Sequence, residues 1–227
     1  MMITIPAVLT SAQVAEVRGL IEHDAGWVDG RVTAGWQGAA VKRNHQLDEQ
    51  APAARAARRI ILAALETHPT FISAALPRAL YPPMFNRYGP GETFGAHVDG
   101  AVRLNPQTGV PMRTDLSATL FLNDPADYDG GELQVIDTYA TQGVKLACGD
   151  LVLYPSTSLH QVTPVTRGTR LAAFFWVQSM IRDDPRRELA FDLDSAIQRL
   201  NASNGDDAAR TTLVGCYHNL LRMWAEV

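Results

Sequence analysis

From about Ala79 the chain consists of short strand-like runs separated by Gly, Pro, Asn and Asp. The runs are Met84 to Tyr88, Ala96 to Val98, Leu116 to Leu122, Glu132 to Ile136, Leu151 to Tyr154 and Arg170 to Gln178. Asp129-Gly130-Gly131 and Gly149-Asp150 are turn signals between them. Runs this short cannot build helices of useful length, whereas strands of this spacing close into an all-β barrel, sandwich or jelly roll.

The flanks read differently. Thr10 to Gln13 forms a capping box ahead of Val14, Val17, Leu20 and Ile21 at helical spacing, which predicts a helix from about Ser11 to His23. Trp27 to Val32 places apolar residues around Asp29-Gly30, the signal of a hairpin turn. Pro52 to Glu66 is a second helix with proline in its first turn. After Arg182, Asp183-Asp184-Pro185 opens a helix reaching about Leu200. Residues 201–205 read as a loop, and Asp206 to Ala225 as a last helix burying Leu213, Tyr217, Leu220, Leu221 and Trp224. The chain thus divides into 1–78, a helical and hairpin segment packed on the core, 79–180, the core itself, and 181–227, the C-terminal helices.

Hydrophobic residues make up 46% of the 227 and charged residues 19%, enough apolar material for a substantial core. A net charge of -4 without a basic run argues against a nucleic-acid partner. No apolar stretch reaches the roughly 18 residues of a membrane span, and the N-terminus lacks the pattern of a secretory signal, so a cytoplasmic location is expected. Cys148 and Cys216 are far apart and read as buried small hydrophobes rather than a disulfide or metal pair.

The chemistry concentrates in three places. In His97-Val98-Asp99, residues i and i+2 of a strand share a face, so an imidazole and a carboxylate can converge on one ion. Chance alone supplies roughly 0.6 His-x-acid pairs in such a chain, so the pair needs context. That context is His160, which follows the Leu151–Tyr154 run and a Pro/Ser/Thr loop. Two histidines and one carboxylate make a facial triad that leaves three positions of a six-coordinate Fe(II) open. Ten residues on, Arg170 opens a strongly apolar run. A buried guanidinium needs an anion, either a structural Asp or Glu or a carboxylate ligand gripped bidentately.

His-x-Asp, about sixty residues, His, ten residues, Arg is also the order of a known family. Phe85 through Asp99 resembles the first metal motif of 2-oxoglutarate dioxygenases of the prolyl/lysyl-hydroxylase type, most closely the bacterial PKHD-type hydroxylases. Arg113 to Ser117, Leu120 to Asn123 with Tyr128 to Leu133, and Gly149 through Gln178 resemble further motifs, in the same order. The resemblance is strong over Leu80 to Arg182 and looser outside. It implies an α+β fold, with a double-stranded β-helix (jelly-roll) core and flanking helices. It implies His97, Asp99 and His160 as metal ligands, Arg170 as the 2-oxoglutarate anchor and Tyr88 as a further co-substrate contact. Some relatives carry a tyrosine at the Phe121 position; phenylalanine cannot make that hydrogen bond.

The reaction implied is hydroxylation with Fe(II), 2-oxoglutarate and O2, releasing succinate and CO2, with L-ascorbate keeping the iron reduced. The prime substrate is left open as a small molecule or a peptidyl residue, and a homo-oligomer is left open too. The alternative is a jelly-roll iron-binding sensor or binding module without turnover, for which a carboxylate anchor at Arg170 has no use. Gly100 to Arg113 reads as a loop leaving a metal ligand, with Arg103 or Arg113 as candidate substrate contacts. Lys42-Arg43 reads as a solvated charged patch, and Phe174 and Trp176 as core packing. His23, His45, His68 and His218 read as surface or satisfied histidines.

Overall fold

The computed structural model describes residues 1–24, 26–138, 140–203 and 207–227. Two antiparallel sheets face each other. The larger runs Ile3–Ile5, Leu151–Pro155, Leu116–Phe121, Arg170–Ser179, Met84–Tyr88, His45–Leu47, Trp27–Asp29, with Pro77–Leu80 also paired to Arg170–Ser179. The smaller runs Thr141–Val144, Leu133–Ile136, Leu159–Val162, Thr93–His97, Lys42–Arg43.

The two-residue period of a strand divides the larger sheet into two faces. Leu151 and Leu153, Leu116, Ala118 and Leu120, and Leu171, Ala173, Phe175 and Val177 enter one core. There they meet Val14, Val17 and Ile21 of helix Ser11–Ile21 and Ala57, Ile61 and Leu65 of helix Pro52–Thr67. Phe71 of helix Pro69–Ala75 closes the same layer. The alternate residues Val152, Tyr154 and Phe121 turn the other way, toward Leu133, Val135 and Val162 of the smaller sheet. The central strands are therefore covered on both sides, which is why Leu151–Tyr154 and Leu171–Val177 read as unbroken apolar runs. Their third element on the inner face is polar: Ser117, Thr119 and Arg170 share it with Phe174 and Trp176. This double-stranded β-helix with flanking helices is the α+β, jelly-roll fold expected.

Several local expectations change. Asp29-Gly30 is not a hairpin turn. Trp27–Asp29 ends in a 3-10 turn, Gly30–Thr33, because the Asp29 carboxylate accepts from the Arg31 backbone N–H and pairs with its guanidinium. Gly30 does not take the positive φ that a two-residue hairpin turn needs. The Trp27–Asp29 strand pairs instead with His45–Leu47. The stretch read as a loop, 100–113, is a β-hairpin of Val102–Leu104 and Pro111–Arg113. Asn105 closes its turn, accepting from the Gln107 N–H through Oδ1 and from the Gly109 N–H through its carbonyl.

At the C-terminus, helices Asp184–Asn201 and Asp207–Trp224 pair, and Ser73 donates to Asp194 at 2.6 Å to tie the first to helix Pro69–Ala75. Leu213, Tyr217, Leu220, Leu221 and Trp224, expected to be buried, are only half-buried. Of the expected loop, Asn201 ends the helix, while Asn204 and Gly205 lie outside the described residues, as does Asp206. Cys216 is exposed on the last helix, not buried, and Cys148 is half-buried against the core. Among the described residues no helix is long and apolar enough to cross a membrane.

Candidate active site

His97 ends the Thr93–His97 strand and His160 lies in its antiparallel neighbour Leu159–Val162, with the two residues directly opposite. Their ring centroids are 4.2 Å apart. Asp99 follows two residues beyond His97 and brings Oδ2 to 3.7 Å from His160 Nε2. One ligand atom from each of the three lies within 4.8 Å of the others. Sheet register thus gathers residues more than sixty positions apart.

Both imidazoles are oriented by backbone. His97 Nδ1 is 2.8 Å from the Gly95 carbonyl and His160 Nδ1 is 3.0 Å from that of Ser158. A carbonyl only accepts, so each Nδ1 carries a proton and Nε2 is the nitrogen left to meet a metal. Burial, then the neighbouring His160, pushes His97 down to about 4, so it is a neutral ligand near pH 7. Asp99 Oδ2 accepts from Ser117 Oγ at 2.6 Å, and Ser117 lies 2.8 Å from Ser156 Oγ. Phe94 stacks on His97 with centroids 3.5 Å apart.

The triad borders a cavity of about 320 Å3. At one end sits Arg170, only 1% exposed. Its guanidinium lies 5.4 Å from the Tyr88 ring centroid and 5.3 Å from that of Phe121. Among the described residues it pairs with no carboxylate, and its Nε and Nη1 have no partner. The buried Tyr128 Oη is also unpartnered. Burial pushes Tyr88 up to about 12 against the pull of Arg170, so its phenol stays protonated and can donate. Gly131, at φ +60°, makes the approach feasible: a Cβ there would come within 3.1 Å of both Arg170 Cδ and Tyr128 Cε2. Unused buried N–H groups cost free energy unless an anion takes them. This end therefore fits the distal carboxylate of 2-oxoglutarate, and the two imidazoles with one carboxylate fit Fe(II).

At the other end the expectations from sequence fail. Lys42 is not a solvated charge but 4% exposed. The short strand Lys42–Arg43 pairs with Phe94 and Thr93, turning Lys42 inward and Arg43 outward. Its Nζ donates to Gln46 Oε1 at 2.9 Å and to Thr33 Oγ1 at 3.3 Å. Burial, with the Arg103 charge adding to it, lowers Lys42 to about 8. Arg103 also lines the cavity, its guanidinium 4.1 Å from the Trp176 ring centroid and 5.0 Å from Tyr81. Arg113 is elsewhere, held by Asp115 and Glu226. Phe174 and Trp176 line the cavity as well as packing with each other. His45 pairs with Glu92, and His68 caps helix Pro69–Ala75. Lys42, Ser117 and Tyr128 escape sequence reasoning. The only signal for Ser117 and Thr119 is two hydroxyls alternating with Leu116, Ala118 and Leu120 on a central strand.

Known proteins share both the sequence and the fold. The 2OG-Fe(II) oxygenase superfamily matches residues 83–178, and the PKHD-type hydroxylase C-terminal domain matches 184–226. A PKHD-type hydroxylase of Cupriavidus metallidurans is 61% identical over the whole of both chains. One from Cupriavidus pinatubonensis is 62% identical, again over the whole of both. Among solved structures, a prolyl hydroxylase from Trichoplax adhaerens, in complex with a hypoxia inducible factor peptide fragment, shares the fold. Its TM-score is 0.59 at 15% identity, covering 83% of this chain and 86% of that one. A two-sheet fold with a His-Asp-His cluster between its layers and full-length identity near 60% lead to one conclusion: the chain belongs to the PKHD-type hydroxylases, Fe(II)- and 2-oxoglutarate-dependent dioxygenases.

Proposed function

We propose that His97, Asp99 and His160 hold the Fe(II) of this hydroxylase, and that Arg170, with Tyr88 beside it, holds 2-oxoglutarate. The observation that carries the reading is the buried Arg170 guanidinium with unused N–H groups at one end of the cavity that the His-Asp-His cluster borders. A sensor without turnover has no use for such an anchor. When bound, iron and 2-oxoglutarate supply the oxidising power drawn from O2, with release of succinate and CO2. The protein's own contribution is placement. The Gly95 and Ser158 carbonyls fix both imidazoles, and Ser117 holds the Asp99 carboxylate. Arg170 orients the co-substrate by its far carboxylate, and Tyr88 remains a neutral donor next to it. Phe94, Phe174 and Trp176 exclude water from the reacting region.

The same reading makes 79–180 the catalytic unit, with 1–78 and 181–227 as the helical segments around it, and takes L-ascorbate as the reductant that restores ferrous iron. The prime substrate is a small molecule or a peptidyl side chain; the modest cavity supports either. The test is iron content and succinate production for His97→Ala, Asp99→Ala and His160→Ala, together with calorimetric 2-oxoglutarate titration of Arg170→Ala. Each alanine ligand variant should lose most of its iron, and Arg170→Ala should lose 2-oxoglutarate affinity while keeping iron. Full iron loading in all three ligand variants would remove the assignment.

A further inference from the structure

We propose that Lys42 and Arg103 form an anion-recognition pair, so that the prime substrate of this hydroxylase is a carboxylate-bearing molecule. The inference rests on the assignment of Arg170 to 2-oxoglutarate and deepens it. Charge counting carries it. Three cationic side chains, Lys42, Arg103 and Arg170, line the cavity against one carboxylate, Asp99. Bound Fe(II) and dianionic 2-oxoglutarate cancel each other, so the excess positive charge remains.

The excess lies away from Arg170: Lys42 Nζ is 5.1 Å from the Phe94 ring and 5.9 Å from that of Phe174, and Arg103 sits over Trp176, whereas Arg170 sits over Tyr88 and Phe121. The charges that act on Lys42 are those of Arg103, Asp99 and Asp29. Phe94 stacks on His97, so Lys42 lies across that ring from the proposed metal site. Neither Lys42 nor Arg103 has a carboxylate partner among the described residues, apart from that long-range influence of Asp99 and Asp29.

Their remaining valences point to a ligand. Two of the three N–H groups of Lys42 go to Gln46 and Thr33, which leaves one. Arg103 lies over the Trp176 ring, 4.1 Å from its centroid, and its buried Nε has no partner. A buried ammonium and a half-buried guanidinium with N–H groups to spare discriminate between an anion and its neutral analogue. The surrounding Phe94, Phe174 and Trp176 surfaces would receive an apolar body behind the carboxylate.

The probes are benzoate and benzamide, equal in shape and different in charge. Each is titrated by calorimetry into the full chain loaded with Fe(II) and saturating 2-oxoglutarate in the absence of O2. Benzoate is expected to bind at least tenfold more tightly than benzamide. The preference should vanish in the Lys42→Met, Arg103→Met double variant and survive in Lys42→Arg. Arg103→Met alone, on a peripheral hairpin, should weaken it severalfold even if changes at Lys42 disturb folding, which melting curves monitor. Equal binding of the two probes, binding of neither up to 10-millimolar scale concentrations, or an undiminished preference in the double variant overturns the proposal. So does a double variant that loses 2-oxoglutarate instead. The underlying reading fails separately, if the parent binds no 2-oxoglutarate or if Arg170→Met leaves that affinity unchanged.

Discussion

At one end of the cavity a guanidinium lies among aromatic rings with two of its nitrogens unpartnered. At the other, an ammonium is held by two neutral oxygens and a second guanidinium lies over an indole. Arg170 grows from the central strand of the larger sheet, fixed by neighbours on both sides. Lys42 and Arg103 come from a two-residue edge strand and from a peripheral hairpin. The deep end is built into the frame and suits a ligand that every turnover shares. The outer end is carried by the most variable kind of element, which suits a ligand that differs between enzymes.

The sharpest way to break this contrast is to remove what lies between the ends. His160→Ala should abolish hydroxylation, by more than a hundredfold, and empty the iron site while sparing the cation arrangement at both ends; iron analysis and succinate assays check it. Next is the pH dependence of stability. A lysine at about 8 in the folded protein against 10.5 unfolded means that between those values only the unfolded chain holds the proton. Stability of the metal-free protein should therefore rise with pH across that window, by on the order of 3 kcal/mol, with the penalty present in full below pH 8. Urea titrations should show this rise in the parent and its absence in Lys42→Met; identical curves would contradict a desolvated ammonium.

Smaller effects sharpen the comparison. Arg170→Ala should cost about 1.5–3 kcal/mol in 2-oxoglutarate binding, roughly ten- to a hundredfold, by calorimetry. Arg170→Lys should recover only part of it, because a point charge cannot replace a planar fork. Ser117→Ala, which frees the Asp99 carboxylate, should lower iron affinity by about tenfold and leave the affinity at Arg170 untouched.

The two ends also differ in how plainly the sequence announces them. Arg170 stands at the head of a seven-residue apolar run, Leu171 to Val177, where a charge is anomalous on inspection, and His97-Val98-Asp99 has the strand period to vouch for it. The long central strands are legible for the same reason: they carry enough residues for a pattern to emerge. Lys42 sits in a strand two residues long, where no period exists, and its burial is decided by pairing with Phe94, fifty positions away. The hairpin bearing Arg103 has three residues in each strand and a turn closed by Asn105, which on paper is indistinguishable from a loop. Tyr128 and Arg170 both pack against Gly131, where a side chain would leave no room, a fact of three-dimensional crowding.

The carbonyls of Gly95 and Ser158 that hold the two imidazoles carry a last consequence. They set the tautomers before any metal arrives, so the proposed site is prebuilt and offers the same three donors to every divalent ion of the first transition row. Such a face follows the Irving–Williams order, in which nickel and copper outrank iron. Selection of iron then falls to what the cell supplies, and protein purified from a nickel- or copper-rich medium should arrive loaded with the wrong ion.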